Sequence, residues 1–159
     1  MSIRIGFGVD YHQLSEGRDL FIGGVHIPHV KGAWGHSDAD VLLHAICDAL
    51  LGALALGDIG SHFPDTDNQY KGIDSKILLQ RTMEIINQKG YRPVNIDSTI
   101  CLQEPKINPF IAQMKKTISS IIGFAESDIS VKATTTEKMG FVGRKEGISA
   151  YATVLLQRI

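Results

Sequence analysis

Three residues in the sequence have the types and spacing of metal ligands. Asp10 and His12 are two positions apart near the end of an alternating apolar segment, so on an extended strand both side chains leave the same face. His44 lies in a nearly continuous apolar segment, with Asp40 one helical turn before it. Two imidazoles and one carboxylate would leave one position open on a tetrahedral Zn²⁺ ion, which would then act as a Lewis acid on an incoming oxygen.

Each of these residues also has a plainer interpretation. An Asp-x-His pair can be a strand-end acid beside a surface imidazole, and a histidine in an apolar helix is often a hydrogen-bonded core residue. The residues by themselves leave both interpretations open. A shared metal site is the interpretation that explains all three groups together.

A second group, residues 131–138, has the composition of an anion site. Thr134 and Glu137 show the S/T-x-x-E spacing of a helix capping box. Alternatively, free amides at a helix or turn start, threonine hydroxyls and a lysine would form a phosphate cradle, and Arg144 and Lys145 extend its basic character. The sequence contains no Walker A motif, strand-linked G-x-G-x-x-G or G-x-S-x-G. A cation site combined with an anion cradle predicts phosphoryl transfer.

The charges are distributed unevenly along the chain. Sixteen basic and 17 acidic residues give a formal net charge of −1, which argues against a protein that coats nucleic acid. No Lys or Arg occurs between Lys31 and Lys71, where six Asp and three His residues are found. This acidic segment is suited to a metal or a polar substrate, and the basic residues that offset it lie elsewhere.

Length and composition favour a single domain over residues 1–159, with 43% hydrophobic and 21% charged residues. Cys47 and Cys101 lie outside any C-x-x-C pair and are expected to be reduced core thiols. The N-terminal residues turn polar before a secretory apolar core could form, and the apolar segment 41–56 is interrupted by polar residues and too short to span a bilayer. We therefore expect a cytoplasmic bacterial protein that binds neither membrane nor nucleic acid.

The hydrophobic patterns predict strands and helices in mixed order. Strands are predicted at residues 3–10, 94–102, 129–133 and 148–156, a strand or hairpin at 20–27, and helices at 40–56, 74–88 and 109–122. Ser37 is predicted as the N-cap of the first helix, and Gly123 as the end of the last. A Gly/Pro/Asp-rich loop at 57–67 is long enough to be functional. These elements indicate an α+β fold, a two-layer domain with a mixed β-sheet and helices on one face.

The sequence resembles the 2-C-methyl-D-erythritol 2,4-cyclodiphosphate synthase family of the non-mevalonate isoprenoid pathway over nearly its full length. The resemblance rests on motifs that occur in order along the chain: Arg4-Ile-Gly-x-Gly through Asp10-x-His12, Ile22-Gly-Gly-Val-x-Ile-Pro28, His36-Ser-Asp-x-Asp40 with His44, Gly57-Asp-Ile-Gly60, Phe63-Pro-Asp-Thr-Asp67, Pro105-Lys106, Ala133-Thr-Thr-Thr-Glu-Lys-x-Gly-Phe141 and Gly143-Arg144.

This resemblance implies an enzyme, a phosphorus-oxygen lyase. The 2-phosphate of 4-diphosphocytidyl-2-C-methyl-D-erythritol 2-phosphate would attack the β-phosphorus, close a cyclodiphosphate and release CMP. The implied ligands of Zn²⁺ are Asp10, His12 and His44. Glu137 would support a second divalent ion, Mg²⁺ or Mn²⁺. His36 and Thr135 match the family's transition-state stabilisers.

The resemblance also implies a substrate site in two parts and a homotrimer with active sites between subunits. The erythritol part would be bound by Ser37, Asp58, Ile59, Gly60, Phe63, Pro64, Asp65, Thr66 and Asp67. The cytidine and its phosphates would be bound by residues 102–108, which include Leu102, Lys106, Ile107 and Asn108, and by Ala133 and Thr134. Thr136 would also bind the substrate. Phe141 and Arg144 match positions near a central trimer channel, where an isoprenoid diphosphate would bind.

The residues alone leave two other function classes open. A Zn-dependent phosphoesterase would use the open metal position to form a hydroxide nucleophile. A non-catalytic nucleotide or isoprenoid-diphosphate binding module would keep the metal only for structure and would have four protein ligands. Three candidate ligands favour a catalytic site over the binding module.

Overall fold

The computed structural model describes residues 2–159 and contains a five-stranded sheet and a separate two-stranded hairpin. The strands are β1 Ile3–Glu16, β2 Leu20–Ile22, β3 Val25–Ile27, β4 Lys31–Trp34, β5 Tyr91–Cys101, β6 Ile129–Thr134 and β7 Gly147–Arg158. The large sheet has the order β4-β1-β7-β5-β6, and only its β5–β6 pair is parallel. The predicted α+β fold with a mixed sheet is confirmed.

Five α-helices accompany the strands. They are α1 Val41–Ala53, α2 Ile59–His62, α3 Ser75–Gln88, α4 Ile111–Ile122 and α5 Gly140–Gly143, with 3₁₀ turns at Asn68–Tyr70, Asn108–Phe110 and Glu126–Asp128. Within residues 2–159, none of the helices is long and apolar enough to cross a membrane.

Helix α1 is central to the fold because it is apolar on nearly all sides. It packs on β1 and β7 and against α3, and residues such as Leu42, Ile46 and Leu50 are fully buried. Because α1 lies directly on β1, the helix places His44 beside the part of the strand that carries Asp10 and His12.

The opposite face of the sheet carries exposed apolar side chains, and the short helix α5 reaches it through Phe141, whose ring contacts Tyr11. Along β1, Ile3 is 51% exposed, Ile5 71%, Phe7 63% and Tyr11 52%. These residues alternate with the positions that face α1, as the pleat of a strand requires. The sheet therefore presents one face to the core and a second apolar face to its surroundings.

The elements differ from the sequence prediction at several ends. Strand β1 continues past Asp10 to Glu16 because its second half pairs with β4, for example Gln13 with Trp34. The glycines between β2 and β3 form the hairpin turn that the sequence allowed, and Gly123, with φ 83°, ends α4 as predicted. The loop 57–67 contains the one-turn helix α2.

The predicted N-cap of α1 is wrong, and one of the two interpretations of residues 131–138 is excluded. Asp40, rather than Ser37, is the N-cap of α1: its Oδ1 accepts from Leu43 N at 3.1 Å. The capping box does not form because Thr134 is still part of β6 and Glu137 has a left-handed backbone with φ 53°. Helix α5 begins only at Gly140, and no side chain caps it.

Candidate active site

The structure brings the three predicted metal ligands together at one end of the sheet. Asp10 Oδ2 lies 2.9 Å from His12 Nε2 and 3.1 Å from His44 Nδ1, and the two imidazole nitrogens are 3.2 Å apart. Nitrogen and oxygen ligand atoms held by a tetrahedral zinc at about 2.0 to 2.1 Å would be about 3.3 Å apart. The three atoms therefore have nearly the spacing that one metal ion requires.

Hydrogen bonding behind His12 supports the same conclusion. His12 Nδ1 lies 3.0 Å from the Trp34 carbonyl oxygen, which can only accept, so Nδ1 carries the proton. Nε2 is therefore the nitrogen that a neutral His12 ring would offer to a metal ion, and it faces Asp10, itself an acceptor when ionised. Acceptor atoms that converge at this distance repel one another unless a proton or a metal ion lies between them, and this donor set therefore fits a divalent cation.

The electrostatics of the site favour positive charge beside Asp10. Burial opposes ionisation of Asp10, but hydrogen bonds and charge from His12 and His44 outweigh burial and lower its pKa to about 2. Burial also opposes the charged form of His44, yet its bond to Asp10 outweighs this and raises the pKa of the imidazole. The carboxylate thus stays ionised at neutral pH, as a metal ligand must.

A cavity of about 330 Å³ opens from the metal ligands. It is lined by His12, His36, Ser37, His44, Ile59, Gly60, Phe63, Asp65, Tyr70, Ile73 and Leu78. Most of the residues predicted to bind the erythritol part are among them. Asp58, Pro64, Thr66 and Asp67 lie in the same segment of the chain and do not line this cavity.

Two aspartates hold the loop that forms one wall of this cavity. Asp48 of α1 accepts from Ile59 N at 2.7 Å, and Asp58 caps α2 by accepting from Ser61 N at 2.8 Å. Burial raises the pKa of the Asp48 carboxyl, an effect that the Ile59 N–H opposes. Asp58 was predicted to bind the substrate. In the structure its Oδ1 already accepts the hydrogen bond from Ser61 N that caps α2.

A second cavity, of about 230 Å³, contains most of the residues predicted to bind cytidine. It is lined by Leu102, Gln103, Pro105, Lys106, Ile107, Asn108, Ala133, Thr134 and Thr135. Thr135 thus lies in this second cavity, whereas His36 lies in the first. One chain does not bring the two predicted stabilisers into a common pocket.

The sheet explains this separation. Asp10 on β1 pairs with Ala150 on β7. Ala150 also pairs with Ile100 on β5, and Ile100 pairs with Ala133 on β6. Both cavities therefore open at the same end of the sheet. Three strand spacings separate β1 from β6, which amounts to about 14 Å.

Other predicted residues lie outside both cavities. Thr136, Glu137, Phe141 and Arg144 line neither of them. Arg144 is paired with Glu146 at 2.9 Å, and Lys132 with Asp97 at 2.8 Å. Each of these two cations already has an acidic partner at the surface, and Lys106 is the basic side chain that lines the second cavity.

A larger cavity of about 460 Å³ lies away from the metal ligands. Its lining includes Arg4, Leu54, Lys89 and Tyr91, and none of the predicted site residues. The C-terminal end of α1, where backbone carbonyls give partial negative charge, forms part of its wall. Size alone therefore does not identify the functional site.

Several residues of the first cavity were not predicted from the sequence. Tyr70, Ile73 and Leu78 line the first cavity, and the Trp34 carbonyl orients His12. Nothing in the type or spacing of these residues marks them, because they reach the site only through packing of distant segments.

Comparisons with known proteins agree with the site geometry. The model of the YgbB family matches residues 3–157. A Bacteroides thetaiotaomicron protein named 2-C-methyl-D-erythritol 2,4-cyclodiphosphate synthase is 61% identical over 158 residues, and the match covers 99% of each chain. None of the relatives described here is named a phosphoesterase, so the hydrolytic alternative finds no support.

Two solved structures have the same fold. The bifunctional IspDF of Campylobacter jejuni has a TM-score of 0.96 at 42% identity, and the match covers 99% of this chain and 43% of that longer protein. IspF of Plasmodium falciparum in a CDP complex has a TM-score of 0.87 at 38% identity, with 99% of this chain and 97% of that chain covered.

Proposed function

The chain belongs to the YgbB family, and from this membership we propose that it forms 2-C-methyl-D-erythritol 2,4-cyclodiphosphate. The substrate is 4-diphosphocytidyl-2-C-methyl-D-erythritol 2-phosphate. A 2-phosphate oxygen forms a bond to the β-phosphorus, the bond from the β-phosphorus to the bridging oxygen breaks, and CMP leaves with that oxygen and the electron pair. Because no water is consumed, the enzyme is a lyase. The convergence of Asp10, His12 and His44 on one open cavity carries this proposal.

We propose Zn²⁺ as the cation held by Asp10, His12 and His44. Such an ion supplies Lewis-acid polarisation of the β-phosphate and offsets its charge. Glu137 is the proposed ligand of a second divalent ion, Mg²⁺ or Mn²⁺. Its backbone N–H bonds to Thr135 Oγ1 at 3.2 Å, which ties the glutamate to the rim of the second cavity.

The residues of the chain act mainly by positioning. The attacking 2-phosphate is already an anion, so the reaction needs no strong protein base. His36 and Ser37 line the first cavity beside the metal ligands, where they would contact the erythritol and its phosphates. Lys106 and Thr135 line the second cavity, where a cation and a hydroxyl would stabilise the phosphates that develop charge as CMP leaves.

We propose a homotrimer in which each active site combines the first cavity of one subunit with the second cavity of its neighbour. The apolar outer face of β1, where Ile5 is 71% and Phe7 63% exposed, supports burial against other copies. The distance of about 14 Å between β1 and β6 supports a site completed by a second chain, because His36 and Thr135 act on the same substrate.

Two finer parts of the proposal rest on the family resemblance. Phe141 and Arg144 are proposed to lie near a central channel that binds an isoprenoid diphosphate. The 40% exposure of Phe141 and its ring contact with Tyr11, at 6.0 Å between centroids, place it at the outer face of the sheet. A location in the bacterial cytoplasm likewise stays a prediction.

The test is a single turnover assay followed by ³¹P NMR. With Zn²⁺ and Mg²⁺ present, the chain should convert the diphosphocytidyl substrate to CMP and a cyclic diphosphate with two coupled phosphorus signals. In H₂¹⁸O, neither product should gain ¹⁸O. Linear hydrolysis products, or ¹⁸O in CMP, would contradict the proposal.

A further inference from the structure

The ring nitrogen of His44 that faces away from Asp10 contacts two serine hydroxyls. His44 Nε2 lies 2.9 Å from Ser75 Oγ and 3.1 Å from Ser37 Oγ. Ser75 is the first residue of α3 and is completely buried. It lies 31 residues after His44 in the chain and lines neither cavity.

Asp38 determines which way the Ser75 hydroxyl points. Ser75 Oγ makes a short hydrogen bond to Asp38 Oδ1, and Ser75 N donates to Asp38 Oδ2 at 3.1 Å. Asp38 Oδ1 also accepts from Asp40 N at 3.2 Å. Because an ionised carboxylate only accepts, the hydroxyl proton of Ser75 goes to Asp38. The Ser75 oxygen is then left as an acceptor for the N–H of His44.

Ser37 imposes no such direction. Its Oγ accepts from Ala39 N at 3.1 Å, and among residues 2–159 its own hydroxyl proton has no acceptor other than the His44 ring. Ser37 can therefore donate to His44 or accept from it. Only the Ser75 hydroxyl has a fixed hydrogen-bond direction, because Asp38 accepts its proton.

We infer that Ser75 is a positioning residue for the metal site: oriented by Asp38, it keeps a proton on His44 Nε2 and leaves Nδ1 free to bind the metal. Nδ1 is the nitrogen that lies 3.1 Å from Asp10 Oδ2. The Trp34 carbonyl does the same for His12 from the other side. Outer hydrogen bonds of this kind typically change metal affinity by about 10- to 100-fold when they are removed.

The inference rests on the metal site of the proposed function, so the test measures metal binding rather than turnover. The full-length chain is stripped of metal, and its zinc affinity is measured by competition with a chromogenic chelator. Ser75→Ala should weaken zinc binding by about 10- to 100-fold. Ser75→Cys preserves most of the side-chain volume, but its sulfur is a poor hydrogen-bond acceptor, so this variant should also bind zinc more weakly. It replaces the alanine variant in the test if Ser75→Ala does not fold.

Ser98→Ala is the matched control, because Ser98 is also a buried serine, 2% exposed, and donates to Ser130 O at 2.9 Å away from the site. Its zinc affinity should stay within about twofold of the parent chain. A second readout is the His44 Nε2 proton in ¹⁵N-labelled, zinc-loaded protein. This proton should exchange slowly in the parent and in Ser98→Ala, and rapidly in Ser75→Ala.

Each outcome has a defined meaning. Zinc affinity in Ser75→Ala equal to that of Ser98→Ala would overturn the inference, and so would a slowly exchanging Nε2 proton in Ser75→Ala. Either result would leave the metal site itself intact. A parent chain that binds no zinc would overturn both the inference and the proposed metal.

Discussion

Gly8 lies so close to Ala45 that a Cβ atom on the glycine would be 2.0 Å from the alanine carbonyl oxygen. This contact lets the backbone of α1 rest directly on the backbone of β1. Asp10 and His12 follow Gly8 on the same strand, and His44 comes one residue before Ala45 on the helix. The close backbone contact therefore brings these three side chains together. The metal ligands converge because this glycine has no side chain.

Replacing Gly8 by Ala should destabilise the fold by about 3 kcal/mol, because the backbone of α1 cannot move aside as a flexible side chain would. Gly52→Ala is the control on the same helix: the nearest atom to its Cβ would be Phe7 O at 3.9 Å, and alanine in a helix should add up to about 1 kcal/mol of stability. Urea unfolding measures both changes. Equal stability of the two variants would refute the close-packing explanation.

Replacing His12 by Ala should remove the metal and with it catalysis, with kcat/KM lowered by at least about 100-fold, because a bound metal supplies several kcal/mol of charge stabilisation. Zinc per chain, measured by atomic absorption, should fall towards zero, while the oligomer stays assembled. His26→Ala is the control, since His26 is exposed and contacts Asp19 and the Phe21 ring on the surface, away from the metal ligands. Wholesale unfolding of His12→Ala would indicate a structural metal instead.

Replacing Ile5 by Lys should break self-association. Ile5 is 71% exposed on the face of the sheet opposite α1, and burying a lysine charge in an interface between copies is unfavourable. Sedimentation analysis should show trimers for the parent chain and smaller species for the variant, with activity lost in parallel. Ile77→Lys on α3, where Ile77 is 41% exposed, should leave the oligomer intact. A parent chain that sediments as a monomer would contradict the proposed assembly.

The thiol of Cys47 should make the fold less stable at alkaline pH. Burial raises its pKa from 9.0 to about 12, although a bond with Thr82 opposes the shift. Between these values the folded thiol keeps a proton that the unfolded thiol loses. Stability therefore falls as pH rises through about 9, by about 1.4 kcal/mol for each further unit up to the folded pKa.

Unfolding curves at about pH 8 and pH 10 measure how far the free energy of unfolding falls with pH. In Cys47→Ala, the part of this fall that is due to the thiol should disappear. Thiol reagents should modify only Cys101 in the folded chain, because Cys47 is fully buried. An unchanged slope in Cys47→Ala, or rapid labelling of Cys47 without denaturant, would refute the prediction.

Much of the secondary structure follows from local residue preferences, so the sequence predicts it. Alternation of apolar residues identifies β1, and paired glycines after Ile22, with φ 61° and 74°, allow the hairpin turn between β2 and β3. The end of α4 depends on Gly123, which reaches a left-handed φ without steric cost. These features need no information from distant parts of the chain.

Residue types and spacing also define the available ligands: two imidazoles and a carboxylate for a cation, and threonines with basic residues for phosphate. Which of these atoms come into contact depends on how distant segments pack. Asp10 and His44 are 34 residues apart, and they lie within 3.1 Å of each other because α1 packs on β1. Local spacing wrongly favoured Ser37 as a cap, whereas packing placed its hydroxyl beside His44. A contact between distant segments depends on how the helices pack on the sheet, and local residue patterns do not predict this packing.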